Sequence, residues 1–243
     1  MTTISFDQWV ISRLLAHGAY AGKVDDAPGR KMIEAIKRFQ AAEGLEVTGM
    51  ANTATVTALR RSSAAPNAKL IIAPDTPTEP VWMREARRYL GLREIVGRGS
   101  NSIIMSWAKR LGGWVASFYN DDDIPWCGLA LGAWIAITLP EEALPSNPLG
   151  ALNWSTFGIG LTQPARGAIM VFKRDGGGHV GLYIGEDQTH YHILGANQSN
   201  SVSVTRIEKS RLVKIRYPKT GGNPIGGPVH LSAKGVPVTR NEA

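Results

Sequence analysis

Gly176-Gly177-Gly178-His179-Val180-Gly181-Leu182-Tyr183-Ile184-Gly185 is the stretch on which the fold turns. Three glycines lead into a run that alternates every second residue, the period of a half-buried strand. Val180, Leu182 and Ile184 take one face, and His179, Gly181 and Tyr183 the other. Four more runs read as strands: Ala168–Phe172, His190–Leu194, Val202–Ile207 and Leu212–Tyr217. Short turns containing Gly or polar residues join several of them. Upstream the period becomes helical, over 82–90, 102–111 and an apolar 126–137. Helices first and an antiparallel sheet second predict an α+β domain over 81–217.

The N-terminal stretch, 1–61, reads as a separate small unit. Trp9, Ile11, Leu14 and Leu15 recur at helical spacing, and Ile33, Ile36, Lys37 and Phe39-Gln40 give a second amphipathic run stopped at Glu43-Gly44. Thr53–Leu59 gives a third, short helix. Residues 62–80 carry four prolines and several small residues, which predicts a partly extended linker, with Leu70-Ile71-Ile72 docking on a neighbour. Residues 218–243 are rich in Gly and Pro and predict a tail lying on the surface or partly mobile.

The chain has 243 residues, 43% hydrophobic and 19% charged, which excludes a wholly disordered protein. No apolar run approaches the ~18 residues that a membrane span needs. The first residues lack the basic and apolar regions of a secretory signal, so synthesis in the cytoplasm is expected. Lys and Arg number 27 against 20 acidic residues, a net charge of +7 that suits a polyanion such as bacterial wall polymer. The charges are scattered, with no Lys/Arg run longer than two, and nucleic acid is not expected as a partner. A single cysteine, Cys127, excludes an internal disulfide and a cysteine-rich zinc site.

Cys127 follows Asp123-Ile124-Pro125-Trp126. Asp123 fits a helix N-cap and Pro125 the first turn, which puts the thiol where a helix dipole stabilises a thiolate. His179, at the exposed start of a strand and off the core face, suits a general base. Asn197, in Leu194-Gly195-Ala196-Asn197-Gln198-Ser199, could orient the imidazole; His192, or less favourably His190, is the rival. His190 and His192 share one strand face, and Asn197 lies on the other unless a bulge intervenes at Gly195. Trp126 and Tyr119, with Gly178 beside the histidine, are candidate substrate contacts. His190 and His192 lack an evident third zinc ligand, and Asp121-Asp122-Asp123 reads as a solvated turn rather than a calcium site, so no metal and no cofactor are expected.

Two families are similar to these stretches. Gly18-Ala19-Tyr20-Ala21-Gly22-Lys23-Val24-Asp25 and Phe39-Gln40-Ala41-Ala42-Glu43-Gly44-Leu45-Glu46-Val47-Thr48-Gly49 resemble the three-helix type-1 peptidoglycan-binding domain, with Asp26 and Ala27 departing from its usual Gly and Phe. Pro125-Trp126-Cys127-Gly128, the strand at 167–172, Gly178-His179-Val180-Gly181-Leu182-Tyr183 and Leu194–Ser199 resemble, in order and spacing, the papain-like NlpC/P60 and CHAP peptidases. That resemblance implies a peptidoglycan hydrolase, an endopeptidase or an N-acetylmuramoyl-L-alanine amidase, with Cys127 as nucleophile, His179 as base and Asn197 as orienter. It implies a monomer acting at the wall or in the periplasm, as an endolysin. The alternatives are a secreted antibacterial effector with an immunity protein in its cleft, and a non-catalytic wall-binding protein.

Overall fold

A computed structural model describes residues 6–21, 29–61, 79–231, 233, 236, 238 and 239. The predicted linker at 62–80, with Leu70-Ile71-Ile72, falls almost wholly outside the described residues.

Helices α1 (Phe6–Ala16), α2 (Arg30–Ala42) and α3 (Thr53–Leu59) enclose one small core. Trp9, Leu14, Ile36, Phe39 and Leu59 fill it, each at most 2% exposed. Gln40 is fully buried among them. Its Oε1 accepts the N–H groups of Thr48 and Gly49, and its Nε2 donates to Met50 O and to the hydroxyls of Thr48 and Thr55. A buried amide with every polar atom satisfied pins the turn that returns the chain to α3. Gly49, at φ +75, is required there, since a Cβ would lie 2.9 Å from the Ile33 and Lys37 side chains.

A second, larger core begins at α4 (Val81–Arg87) and continues through α5 (Ser102–Leu111), α6 (Gly113–Phe118) and α7 (Cys127–Thr138). The strands that follow are β1 (Ile159–Gly160), β2 (Ile169–Arg174), β3 (Gly177–Glu186), β4 (His190–Gly195), β5 (Ser203–Glu208) and β6 (Leu212–Tyr217). They form one antiparallel sheet in the order β1-β6-β2-β3-β4-β5. The α+β expectation holds, while α6 and the two-residue β1 are additions that the sequence pattern did not predict.

Helix α7 is apolar on every side, and Cys127 through Ile135 are all buried. Such a helix belongs at the centre of a domain. Trp107 meets Trp126 and Trp134 at centroid distances of 6.1 and 5.9 Å, so the tryptophans make the wall between α5 and α7. Truncating one such ring to Ala costs about 3–5 kcal/mol. The tail packs back on the sheet, with bridges from His230 to Glu186 and from Val238 to Arg206. Among the described residues no helix is long and apolar enough to cross a membrane.

The two cores meet through one buried cation. The Arg87 guanidinium on α4 donates from Nη1 to both oxygens of Asp7 on α1 at 2.6 Å, and from Nε to both oxygens of Glu79 at 3.0 Å. All three side chains are at most 1% exposed, and the Phe6 ring lies 5.2 Å from the guanidinium. Burial pushes the Glu79 carboxyl up, against the pull of Arg87. The Asp7–Arg87 pair therefore ties the N-terminal helices directly to the larger core.

Candidate active site

The sheet register sets the site. β4 pairs with β3 only from Gly181 onward, opposite Gly195, so the first residues of β3 have no partner on that side within the ladder. The start of α7 lies near this part of β3: the N–H groups of Val180 and of Gly128, in the helix's first turn, both pull the Cys127 thiol down. His179, the residue before Val180, lies opposite Phe172 on β2.

Cys127 is the first helical residue, with Trp126 as N-cap and no side-chain cap. The predicted cap at Asp123 is thus three residues early, and Pro125, predicted in the first turn, lies outside the helix. The Trp126 indole is buried and donates to Glu94 Oε2 at 2.9 Å, which anchors the residue outside the helix. Trp126 and Tyr119 are at most 2% exposed, and the Tyr119 hydroxyl donates to Ile124 O. Both serve the core rather than a substrate surface; Gly178 remains half-exposed beside the histidine. The expected lowered thiol does not hold either. Burial pushes the Cys127 thiol up, outweighing the backbone N–H groups of Val180 and Gly128 and the cation of Arg174 that pull it down.

His179 is fully buried, not exposed as expected. Its Nε2 faces Gln198 Oε1 at 3.1 Å, so Gln198 takes the orienting position expected of Asn197 or His192. The chemistry fixes the protons. Gln198 Nε2 lies 2.7 Å from Ser203 O and 3.3 Å from Gly195 O, and only an NH2 group can satisfy two carbonyls. The oxygen then accepts from Thr205 Oγ1 at 2.9 Å and from the His179 Nε2–H. That tautomer places the lone pair, and hence the basicity, on Nδ1. Gly195 makes room for the pair, since a Cβ there would lie 2.8 Å from Gln198 Oε1 and 3.0 Å from His179 Nε2.

Asn197 heads a tight turn in which Asn197, Ser199 and Asn200 all have positive φ. Its side chain is 2% exposed, and its Oδ1 has no hydrogen-bond partner. His192 Nε2 instead meets Asp187 Oδ2 at 3.0 Å, and His190 Nδ1 meets the hydroxyl of Thr189. Asp187 also accepts from Arg206 Nε at 2.7 Å. Burial alone would raise Asp187, but Arg206, the Thr189 N–H and His192 hold it well below the usual carboxylate range. This is a strand-end ion cluster with an arginine inside it, an arrangement hostile to a divalent ion.

The three carboxylates of Asp121, Asp122 and Asp123 each offer one oxygen within 4.8 Å of the others. Two are partly engaged in loop geometry, with Asp122 Oδ1 buried and without a hydrogen bond. Asp122 Oδ2 accepts the N–H groups of Ile95 and Asn101, and Asp121 Oδ1 those of Asp123 and the Ser100 hydroxyl.

One segment covers the start of α7 and the tip of β3. Pro148 O and Leu149 O press on Gly128, where a Cβ would lie 2.3 and 2.8 Å away, so the residue after Cys127 must be glycine. The 3-10 turn Ala151–Thr156 then lays Leu152 on Gly178, beside His179. Buried Trp154, donating to Pro148 O at 2.9 Å, holds the segment down. Cys127 is left 4% exposed.

Residues 8–59 match the family described as "Putative peptidoglycan binding domain". The match supports a peptidoglycan-binding domain at the N-terminus, and with it association with the cell wall. It covers α1 to α3 and includes the Gln40 turn. No NlpC/P60 or CHAP family matches the chain. Comparisons with curated proteins and with solved structures find no match.

Proposed function

We propose that the protein is a thiol-dependent peptidoglycan hydrolase that cuts an amide bond of the wall's peptides and acts at the wall. The observation that carries the reading is the Gln198–His179 bond, which commits Nε2 and leaves the lone pair on Nδ1, in the residue next to Val180, whose N–H pulls the Cys127 thiol down. Nδ1 takes the thiol proton, and the thiolate attacks the scissile carbonyl. The N–H groups at the start of α7 stabilise the oxyanion. The imidazolium returns its proton to the leaving amine, and water hydrolyses the thioester. Gln198 accepts from Nε2 throughout and holds the ring. The segment over Gly128 and Gly178 must lift before a substrate enters. The test is lysis of purified sacculi: Cys127→Ala abolishes release of peptide amines while sedimentation with sacculi persists. Undiminished lysis by that variant would sink the proposal. Mass spectrometry of the fragments assigns endopeptidase or amidase.

A second reading rests on the closure itself. With Cys127 4% and His179 0% exposed, a wall-binding protein with an inactive site is the alternative. A native thiol that resists every small alkylating reagent favours it.

A further inference from the structure

The sequence predicts a solvated turn at Asp121-Asp122-Asp123, but the structure buries its middle residue, with Asp122 0% exposed. Asp122 Oδ2 accepts the N–H groups of Ile95 and Asn101 at 3.1 and 2.7 Å, while Oδ1 is buried without a hydrogen bond. A buried carboxylate oxygen with no donor is costly unless a cation or a proton meets it. One oxygen from each of the three carboxylates lies within 4.8 Å of the others. Asp121 is half-buried and Asp123 exposed, so the cluster opens to solvent on one side. Glu94 stands against the same cluster. Burial pushes its carboxyl up, and the charges of Asp122 and Asp123 add to that, against the Trp126 indole that donates to its Oε2. Among the described residues none of these four carboxylates pairs with a Lys, Arg or His, in a chain that carries 27 Lys and Arg.

We infer that Asp121, Asp122 and Asp123 form a site for a divalent, oxygen-seeking cation, calcium in preference to magnesium, with Glu94 adding negative charge at its edge. The inference stands apart from the thiol-hydrolase reading. Every donor is an oxygen, which suits a hard cation and not zinc or copper. Oxygens spread over as much as 4.8 Å surround an ion with ligand distances of about 2.3–2.6 Å, as calcium has, more readily than the strict octahedron of magnesium at about 2.0–2.1 Å. Water completes the shell on the Asp123 side. The contrast with Asp187 is the charge already supplied: there Arg206 donates to the carboxylate, and here no cationic side chain does. Bound at this turn, the ion links three pieces of chain. They are the 95–101 loop through Asp122, the turn itself, and, through Glu94 and its bond to Trp126, the residue before Cys127. Its role is a structural clamp ahead of α7, not a group in a reaction.

The experiment titrates the full chain, first stripped with EDTA, with calcium chloride alone, and reads calorimetry and thermal unfolding. The expected result is saturable binding of a single ion at about 10⁻⁵–10⁻³ M calcium, with a melting temperature that rises by several degrees as the site fills. Asp123→Asn, at an exposed position, keeps the fold and weakens binding about tenfold or more, because affinity follows the number of charged ligands. Asp122→Asn keeps an acceptor for the Ile95 and Asn101 N–H groups, removes the charge, and abolishes the calcium-dependent rise in melting temperature. Terbium, a luminescent stand-in for calcium, reports the place: tryptophan excitation sensitises its emission through Trp126, calcium displaces it, and Asp122→Asn removes it. Absence of saturable calcium binding across that range overturns the site. Binding undiminished in both variants puts the ion elsewhere and overturns it equally. Magnesium bound as tightly as calcium overturns the assignment to calcium. The hydrolase reading stands or falls separately, on lysis of sacculi by the Cys127→Ala variant.

Discussion

Gln40 and Gln198 are the same side chain in the same state of burial, and they do opposite things. Gln40 gives all its hydrogen bonds to one turn of the N-terminal unit and to its two threonines. Gln198 anchors its NH2 on the carbonyls of Ser203 and Gly195 and turns its oxygen to an imidazole. The difference is a titratable partner. A saturated amide buried among backbone groups is scaffold, whereas one whose fixed oxygen dictates a histidine tautomer sets up proton transfer.

Gln198→Ala puts the comparison under the greatest strain. Without the acceptor the ring is free to carry its proton on Nδ1, and turnover on sacculi falls about a hundredfold or more, the scale of a lost general base. Wall binding stays intact. The readout that separates orientation from structure is the pH profile of Cys127 alkylation, which shifts in Gln198→Ala and keeps its shape in Gln40→Ala. An unshifted profile for Gln198→Ala would return Gln198 to the scaffold class.

Gln40→Ala is the mirror experiment. It strands the N–H groups of Thr48 and Gly49, at about 1–3 kcal/mol for a buried unsatisfied donor. Chemical denaturation of the full chain shows an earlier transition in the N-terminal unit, and binding to sacculi drops while thiol reactivity persists. Retained binding with unchanged stability would show that the turn does not need its amide.

Much of this contrast was legible in the sequence and part was not. Periodicity predicted α3, α5 and β6 to their ends, because apolar positions at spacings of 3.6 and 2 survive in any context. That Cys127 stands at the start of a helix and His179 near the start of a strand was legible too. The third residue was not. Strand parity counted through 194–197, but β4 ends at Gly195, and Asn197 is already in a left-handed turn. Beyond that point alternation says nothing about direction. Asn197 and Asn200, both tolerant of positive φ, bracket Gln198, and that bracket was the available signal for a residue folded back on the strand. The roof was invisible for another reason: Pro148, Leu149 and Leu152 reach Gly128 and Gly178 only in three dimensions, and no local pattern encodes that contact.

The closed thiol gives a smaller, pH-dependent effect. Burial raises the folded-state Cys127 above its unfolded value, so the folded protein holds this proton longer. The associated stability is complete below the unfolded thiol range, near pH 8.5, and is lost as pH rises toward the folded value. Denaturant midpoints measured at pH 7 and pH 10 should therefore converge when Cys127→Ala is compared with the parent chain at the higher pH. Equal pH dependence in both proteins would mean that the thiol is not desolvated in the resting state.

The smallest effect tests the roof. Leu152 is 45% exposed yet lies on Gly178, so its removal forfeits little burial. Leu152→Gly therefore costs under about 1 kcal/mol beyond the backbone term of a glycine. It uncovers the approach to His179 while Trp154 still anchors the segment through Pro148. Iodoacetamide should then modify Cys127 severalfold faster, with the pH profile set by Gln198 unchanged. Trp154→Phe removes that anchor without opening a large cavity and should accelerate modification further, because the indole N–H to Pro148 is then lost. If neither substitution changes the rate, access does not run over Gly178, and the segment is a fixed part of the core on a par with the Gln40 turn.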